Sequence, residues 1–185
     1  QGRKPNNYSD EHLEAMAVYR KIAEKLPFFN AFVFHASAVA VDDKAYVFTA
    51  KSGTGKSTHA GFYCENFGSR ATIINDDKPI ILLKEEGAFV CGTPWSGKHD
   101  LNTNIILPLK AVCLLNRGEE NKITKIKPQS VIDKLISQSY RPVSPEAMQR
   151  FLLLFSRLVD NTEFYNLFCN LNPEAALVSF NGMQN

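Results

Sequence analysis

Long apolar runs, paired cysteines and an excess of one charge are all missing from this sequence of 185 residues. No stretch approaches the roughly 18 apolar residues that a membrane-spanning helix needs. The opening segment QGRKPNNYSDEH has no apolar core and does not read as a signal peptide. The chain begins with Gln rather than Met, which leaves room for residues upstream. Net charge is only +2, so no strong field draws nucleic acid or an anionic membrane. The four cysteines, Cys64, Cys91, Cys113 and Cys169, stand far apart and form no CxxC pair. That spacing argues against zinc ligation and a disulfide framework, and points to free thiols in a reducing, cytoplasmic setting.

What is present is the material of one ordinary domain. Hydrophobic residues make up 44% and charged residues 22%, enough apolar surface for a sizeable core at this length. Residues 9–25 carry a helical pattern in which Leu13, Met16, Ala17 and Ile22 are expected to share a face, with Pro27 as the stop. AFVFHASAVAV reads as one strand, DDK as a tight turn, and AYVFTA as the second strand of a hairpin. A helix is expected from Ser57 to about Phe67, stopped by Gly68. ATII, then IILL and AFVC around Glu-Glu-Gly, then IILPLKAVCLLN read as strands. TPWSGKHDLNTN reads as loop and RGEENKITKIK as a charged, solvated connection. The remainder is expected to be helical, at Val131–Gln138, Pro145–Leu158 and Asn172–Phe180. The last would have Asn172 as N-cap and Pro173 in its first position. The order predicts an α/β or α+β single domain over 1–185: a lead-in at 1–30, a sheet at 31–115 and a helical part at 125–185.

The stretch Ala50-Lys51-Ser52-Gly53-Thr54-Gly55-Lys56-Ser57-Thr58 follows the Walker A pattern GxxxxGK[ST], with Ala50 at the first glycine position. Gly53 and Gly55 permit positive φ, so successive backbone N–H groups of Ser52–Thr58 can curl around an anion. The helix starting near Ser57 aims its dipole at the same place. Lys56 would carry charge to β- and γ-phosphate oxygens, and the Ser57 hydroxyl can ligate a phosphate-bound Mg²⁺. A glycine-rich turn with a chance lysine would need none of this strand-loop-helix order.

Asp76 and Asp77 follow the ATIIN strand, which is expected to run parallel to the strand before the loop, adjacent or one place away. Both aspartates then fall beyond the strand's carboxyl end, where α/β sheets hold ligands. Two neighbouring carboxylates suit one metal ligand and one base. Asp42-Asp43 lies at the opposite end of its strand and reads as turn chemistry alone. From its own surroundings His35 reads as a packed or surface residue of a strand, and His59 as a surface residue. In the loop after AFVCG, Lys98 and His99 could offer charge to a phosphate or carboxylate of the substrate, and Trp95 a pocket wall.

The order of a histidine followed by a small residue, a hairpin, AKSGTGKST and a strand ending in NDD resembles the C-terminal kinase domain of HPr kinase/phosphorylase. That family has the phosphoenolpyruvate carboxykinase-like P-loop fold, a mixed sheet with C-terminal helices. The resemblance is specific over Phe34–Asp77 and only general from Ile105 to Phe180. It implies that Ser52, Gly53, Thr54, Gly55, Lys56, Ser57 and Thr58 grip ATP. It implies that Ser57 and Asp76 hold Mg²⁺, that Asp77 is the base on an acceptor hydroxyl, and that His35 stands near the γ-phosphate. The two aspartates can share both jobs. No counterpart of the arginine-glycine acceptor motif of the HPr enzymes occurs here. The chain therefore looks more like the shorter HPr kinase-related proteins, some of which modify peptides or small molecules. The implied partners are a nucleotide and a hydroxyl-bearing protein, peptide or small molecule. The family includes hexamers, which leaves room for a homo-oligomer. Two other readings share the motif: a nucleotide sensor or scaffold without turnover, and a phosphoenolpyruvate carboxykinase-like lyase. The lyase would also need a metal held by lysine and histidine, arginines for the substrate carboxylates and a much longer chain, and only four histidines are present.

Overall fold

The computed structural model describes residues 9–184. It is a mixed α/β structure in which a curled sheet is covered by helices on both faces. Helix α1 (Asp10–Lys25) is opened by Ser9, whose hydroxyl accepts the His12 N–H. Its buried side is Tyr19 and Ala23, with Met16 and Leu26 partly covered. Leu13, Ala17 and Ile22 are exposed, so the expected face is rotated. The reason is aromatic packing: Tyr19 lies edge-on to Trp95 at 5.2 Å and to Tyr140 at 5.9 Å, and that contact sets the helix's rotation. Pro27 sits in a 3₁₀ turn that follows.

AFVFHASAVAV is two strands, not one. Strand β1 (Ala31–Val33) pairs with β5 (Ile80–Lys84), and β2 (Ser37–Val41) pairs with β3 (Lys44–Thr49) and β4 (Ala71–Asn75). Phe34, His35 and Ala36 carry the chain across, and their N–H groups donate to the carbonyls of Pro79, Gln138 and Asp77. Asp42 and Asp43 form the two-residue β2–β3 turn with φ of 49° and 60°, the double left-handed geometry that matches strand twist. Asp42 also pairs with Arg70. After β3 come the glycine loop and helix α2 (Lys56–Phe67), ended by Gly68.

Sheet order is β1-β5-β6-β7-β3-β2-β4, where β6 is Gly87–Cys91 and β7 is Ile106–Arg117. Strand β4 lies one place from β3, across β2, and is antiparallel to β2 as β3 is. It therefore runs parallel to β3, as expected. RGEENKITKIK is not a solvated connection: β8 (Lys122–Ile126) forms inside it. It pairs with β9 (Glu163–Cys169), which in turn runs parallel to β7. The alternation in KITKI was masked by its charges, since one edge of an outer strand tolerates lysine. The EFYNLFC strand lies among helices α3 (Ile132–Ser137), α4 (Pro145–Asn161) and α5 (Glu174–Gly182). The carboxyl part of the chain thus completes the sheet as well as covering it.

The central strands are apolar on both sides because both faces are buried. Ala38, Ala40, Val47, Val112 and Leu114 point into a core with Phe151, Leu154, Phe155 and Leu158 of α4. Val39, Val41, Tyr46, Phe48 and Cys113 point the other way, against Tyr63 of α2 and Ala176 of α5. No helix among the described residues is long and apolar enough to cross a membrane.

Candidate functional site

The glycine loop is shaped by Gly53 and Gly55, at φ of 79° and 119°, values that side chains rarely adopt. The Thr54 N–H closes the turn onto the Lys51 carbonyl at 3.2 Å. Gly55 then opens α2, so Lys56 and Ser57 stand in the first helical turn, where backbone N–H groups lack partners inside the helix. Lys56 is buried, and its ammonium donates to the Ala50 carbonyl at 3.2 Å. Burial lowers its pKa below the ordinary lysine value, while the Asp77 and Asp76 carboxylates pull the other way.

Asn75 ends β4 and builds the next part of the site. It is fully buried, and its Oδ1 accepts the N–H groups of Asp77 at 2.9 Å and Lys78 at 2.6 Å. Its Nδ2 donates to the carbonyl and hydroxyl of Thr93. One amide thus bends the chain at the two aspartates and ties it to the following loop. Asp76 is buried, and its Oδ1 accepts a 2.7 Å hydrogen bond from the Ser37 hydroxyl. Asp77 meets His35 Nε2 at 3.3 Å through one oxygen and the Lys78 ammonium through the other. Burial is the largest influence on Asp77 and raises its pKa; His35 and Lys78 together outweigh it and hold the carboxyl at about 2.

The loop Thr93–Asn104 is laid against β4. The Asp76 N–H donates to the Leu101 carbonyl, and the Thr103 N–H to that of Ile74. This places Gly97 on Asp77 and brings Lys98 and His99 over the glycine loop. A cavity of about 470 Å³ results. Its floor is Ser52, Gly53, Gly55, Lys56, Ser57 and Thr58; its walls are His35, Asp76 and Asp77; its rim is Gly97, Lys98 and His99. Thr54 lies beside it, turned to two neighbouring cavities.

Two expectations fail here. Trp95 does not line this cavity; its ring packs on Tyr19 and helps hold α1. His59 is not at the surface. It is buried, with Nε2 3.0 Å from the Ser179 hydroxyl, which also meets Tyr63 at 2.8 Å. The Ser179 hydroxyl also lies 3.0 Å from the Ala176 carbonyl, so one hydroxyl ties His59 and Tyr63 of α2 to α5. His59 Nδ1 is the one fully buried side-chain polar atom among the described residues without a partner. Burial pushes the imidazole down to about 4.

His35 is not a strand residue; it sits in the chain crossing, clamped by Gln138. The His35 N–H donates to the Gln138 carbonyl at 2.7 Å, and Nδ1 lies 2.9 Å from Gln138 Oε1. Ser37, Arg117 and Gln138 carried no signal of their own in the sequence. Only Asn75, directly before an Asp pair, has a local signature, that of an Asx turn. Arg117 ends β7 and donates to the Gly53 carbonyl at 2.6 Å.

Among the described residues no three His, Cys, Asp or Glu side chains gather as a metal cage. Two residues that line the cavity, Ser57 and Asp76, carry oxygen donors of the kind Mg²⁺ takes when it arrives on a phosphate.

No family model matches the chain, and no curated protein matches it. Among solved structures the chain is similar to the Hpr(Ser) kinase/phosphatase from Coxiella burnetii. The identity is 11%, over 69% of this chain and 88% of that one, with a TM-score of 0.39. So loose a superposition carries no argument about activity.

Proposed function

We propose that the protein is an ATP- and Mg²⁺-dependent kinase that transfers the γ-phosphoryl group to a hydroxyl of a protein, peptide or small molecule. One observation carries the reading. A loop with two positive-φ glycines, a helix N-terminus and a buried lysine share a single cavity with two aspartates and a histidine. Anion-binding groups form the floor and proton-accepting groups the wall, which is the division of labour phosphoryl transfer needs.

Ser52–Thr58 bind the phosphates through backbone N–H groups, and Lys56 adds a full charge. Ser57 and Asp76 are the residues to hold Mg²⁺. When bound, the ion neutralises charge on the phosphate oxygens. Asp77 takes the acceptor hydroxyl as its hydrogen-bond donor. A carboxylate held near a pKa of about 2 is a weak base toward a resting hydroxyl. In a loose transition state the hydroxyl becomes acidic only late, so such a carboxylate serves by orienting the nucleophile and receiving its proton at the end. His35 fixes the Asp77 carboxylate next to the transferring group. Lys98 and His99 stand where the acceptor enters.

The test is to incubate the protein with Mg²⁺ and γ-labelled ATP, alone and with fractionated cell extract, beside the Asp77→Asn variant. Label appearing on one extract component with the wild type but not the variant supports the kinase and locates its substrate. ATP binding with no transfer in any fraction overturns the kinase in favour of a nucleotide sensor.

A further inference from the structure

A second cavity, of about 420 Å³, lies behind the glycine loop. Gly55 and Thr58 line it and the phosphate cavity alike, so the two meet at the first turn of α2. Its walls are different in kind. Phe62 of α2, Leu115 of β7 and Leu171 after β9 give it an apolar lining. Arg117 closes one side while its guanidinium holds the Gly53 carbonyl.

We infer that this cavity is the nucleoside subsite and that it takes purines without distinguishing adenine from guanine. The inference rests on the phosphate-binding reading of the loop. The two cavities together give a bound nucleotide its direction. His35, Asp76 and Asp77 lie on one side of the loop, so the γ-phosphate and acceptor belong there. The chain of phosphates must then leave past Thr58, and the next space it meets is the apolar cavity. The third cavity beside the loop, near Lys51, Asn116 and Lys134, touches neither Gly55 nor Thr58, so it lies off that path.

The tolerance follows from the polar side chains of the wall beyond the loop: the Asn170 amide and the Arg117 guanidinium are already engaged, and the unpartnered Nδ1 of His59 is closed off from the surface. The Asn170 side chain donates to the Glu119 carbonyl and accepts the Asn172 N–H. Arg117 is tied to Gly53. A base is therefore held by apolar contact and by the guanidinium plane, and such a pocket rejects a similar-sized ligand weakly. The same subsite explains Leu171, which is 78% exposed at the mouth of the cavity, where a hydrophobic residue gains nothing in the free protein.

The experiment is calorimetric titration, with excess Mg²⁺, of ATP, GTP and inorganic tripolyphosphate into the wild type and Leu171→Ser. Leu171 is exposed, so the variant keeps the fold, and circular dichroism checks this. The nucleotides should bind at least ~10-fold more tightly than tripolyphosphate, and ATP and GTP should agree within ~5-fold. Leu171→Ser should weaken both nucleotides by roughly 5-fold and leave tripolyphosphate unchanged. Tripolyphosphate binding as tightly as ATP, or a variant that weakens all three alike, overturns the subsite and leaves the phosphate loop standing. A preference of about 100-fold between ATP and GTP overturns the tolerance. Failure of all three to bind overturns the loop reading and this inference together.

Discussion

His35 Nε2 stands 3.3 Å from Asp77 Oδ1, across a sheet crossing that separates the two residues by more than forty positions in the chain. The contact joins the break between β1 and β2 to the carboxyl end of β4. It holds because Gln138 grips His35 from behind and Asn75 bends the chain beneath Asp77. What the site can do depends on that convergence.

Asp77→Asn keeps the shape of the residue and removes its charge. Nucleotide affinity should change by less than about 3-fold, while phosphoryl transfer should fall by ~10² or more, the usual contribution of a positioned base. Parallel binding titration and single-turnover assays separate the two effects. Because the carboxyl is held near a pKa of about 2, the wild-type rate should show no acid limb from Asp77 above about pH 4.

Lys56→Met removes a buried cation and keeps most of its volume. Tripolyphosphate affinity should fall by roughly 100-fold, since a charge-assisted contact in a partly dry site is lost. Melting temperature should hold or rise slightly, because the ammonium is desolvated without a carboxylate bound directly to it. A large drop in melting temperature would instead make Lys56 a structural residue.

Gly97→Ala probes the contact between the loop and the aspartate. Gly97 has φ of 78°, and an added Cβ would lie 3.2 Å from the Asp77 Cβ. The backbone strain alone should cost about 1 kcal/mol of stability. The crowding of Asp77 should lower turnover by ~10-fold or more with little change in nucleotide affinity, because small displacements of a catalytic group are costly. Turnover that follows the stability loss alone would place Gly97 outside the site.

His59 makes stability depend on pH. Its imidazole is pushed from 6.5 to about 4 by burial, so the unfolded chain takes up a proton before the folded one does. Stability from this residue is complete above about pH 6.5 and is lost progressively as pH falls toward about 4, by roughly 3 kcal/mol at most. Denaturant unfolding of the wild type and His59→Gln between those limits should converge as pH falls. Parallel curves would show that His59 does not titrate in that window.

The glycine-loop half of the candidate site was legible because it is local. A loop shaped by two glycines and followed by a lysine at the start of a helix needs only consecutive residues, and Ala50–Thr58 contain all of them. The β2–β3 turn was legible for the same reason, since Asp tolerates the left-handed region. The paired aspartates could be placed because a strand, a helix and a parallel strand have few ways to connect.

What escaped the sequence depended on neighbours distant in the chain. AFVFHASAVAV looks like a single strand because both of its halves are buried; only the competing partners β5 and β3 decide that it breaks at His35. His59 and Trp95 have the composition of a surface helix and an open loop, yet His59 is buried against Ser179 and Trp95 is half-buried against Tyr19. Periodicity reports exposure to solvent and says nothing of which element lies opposite. The sequence by itself determined where an anion can be held, since that chemistry belongs to a contiguous backbone. Tertiary structure alone decided which side chains stand around that loop, because His35, Asp77 and Arg117 come together there only through the pairing of strands far apart in the chain.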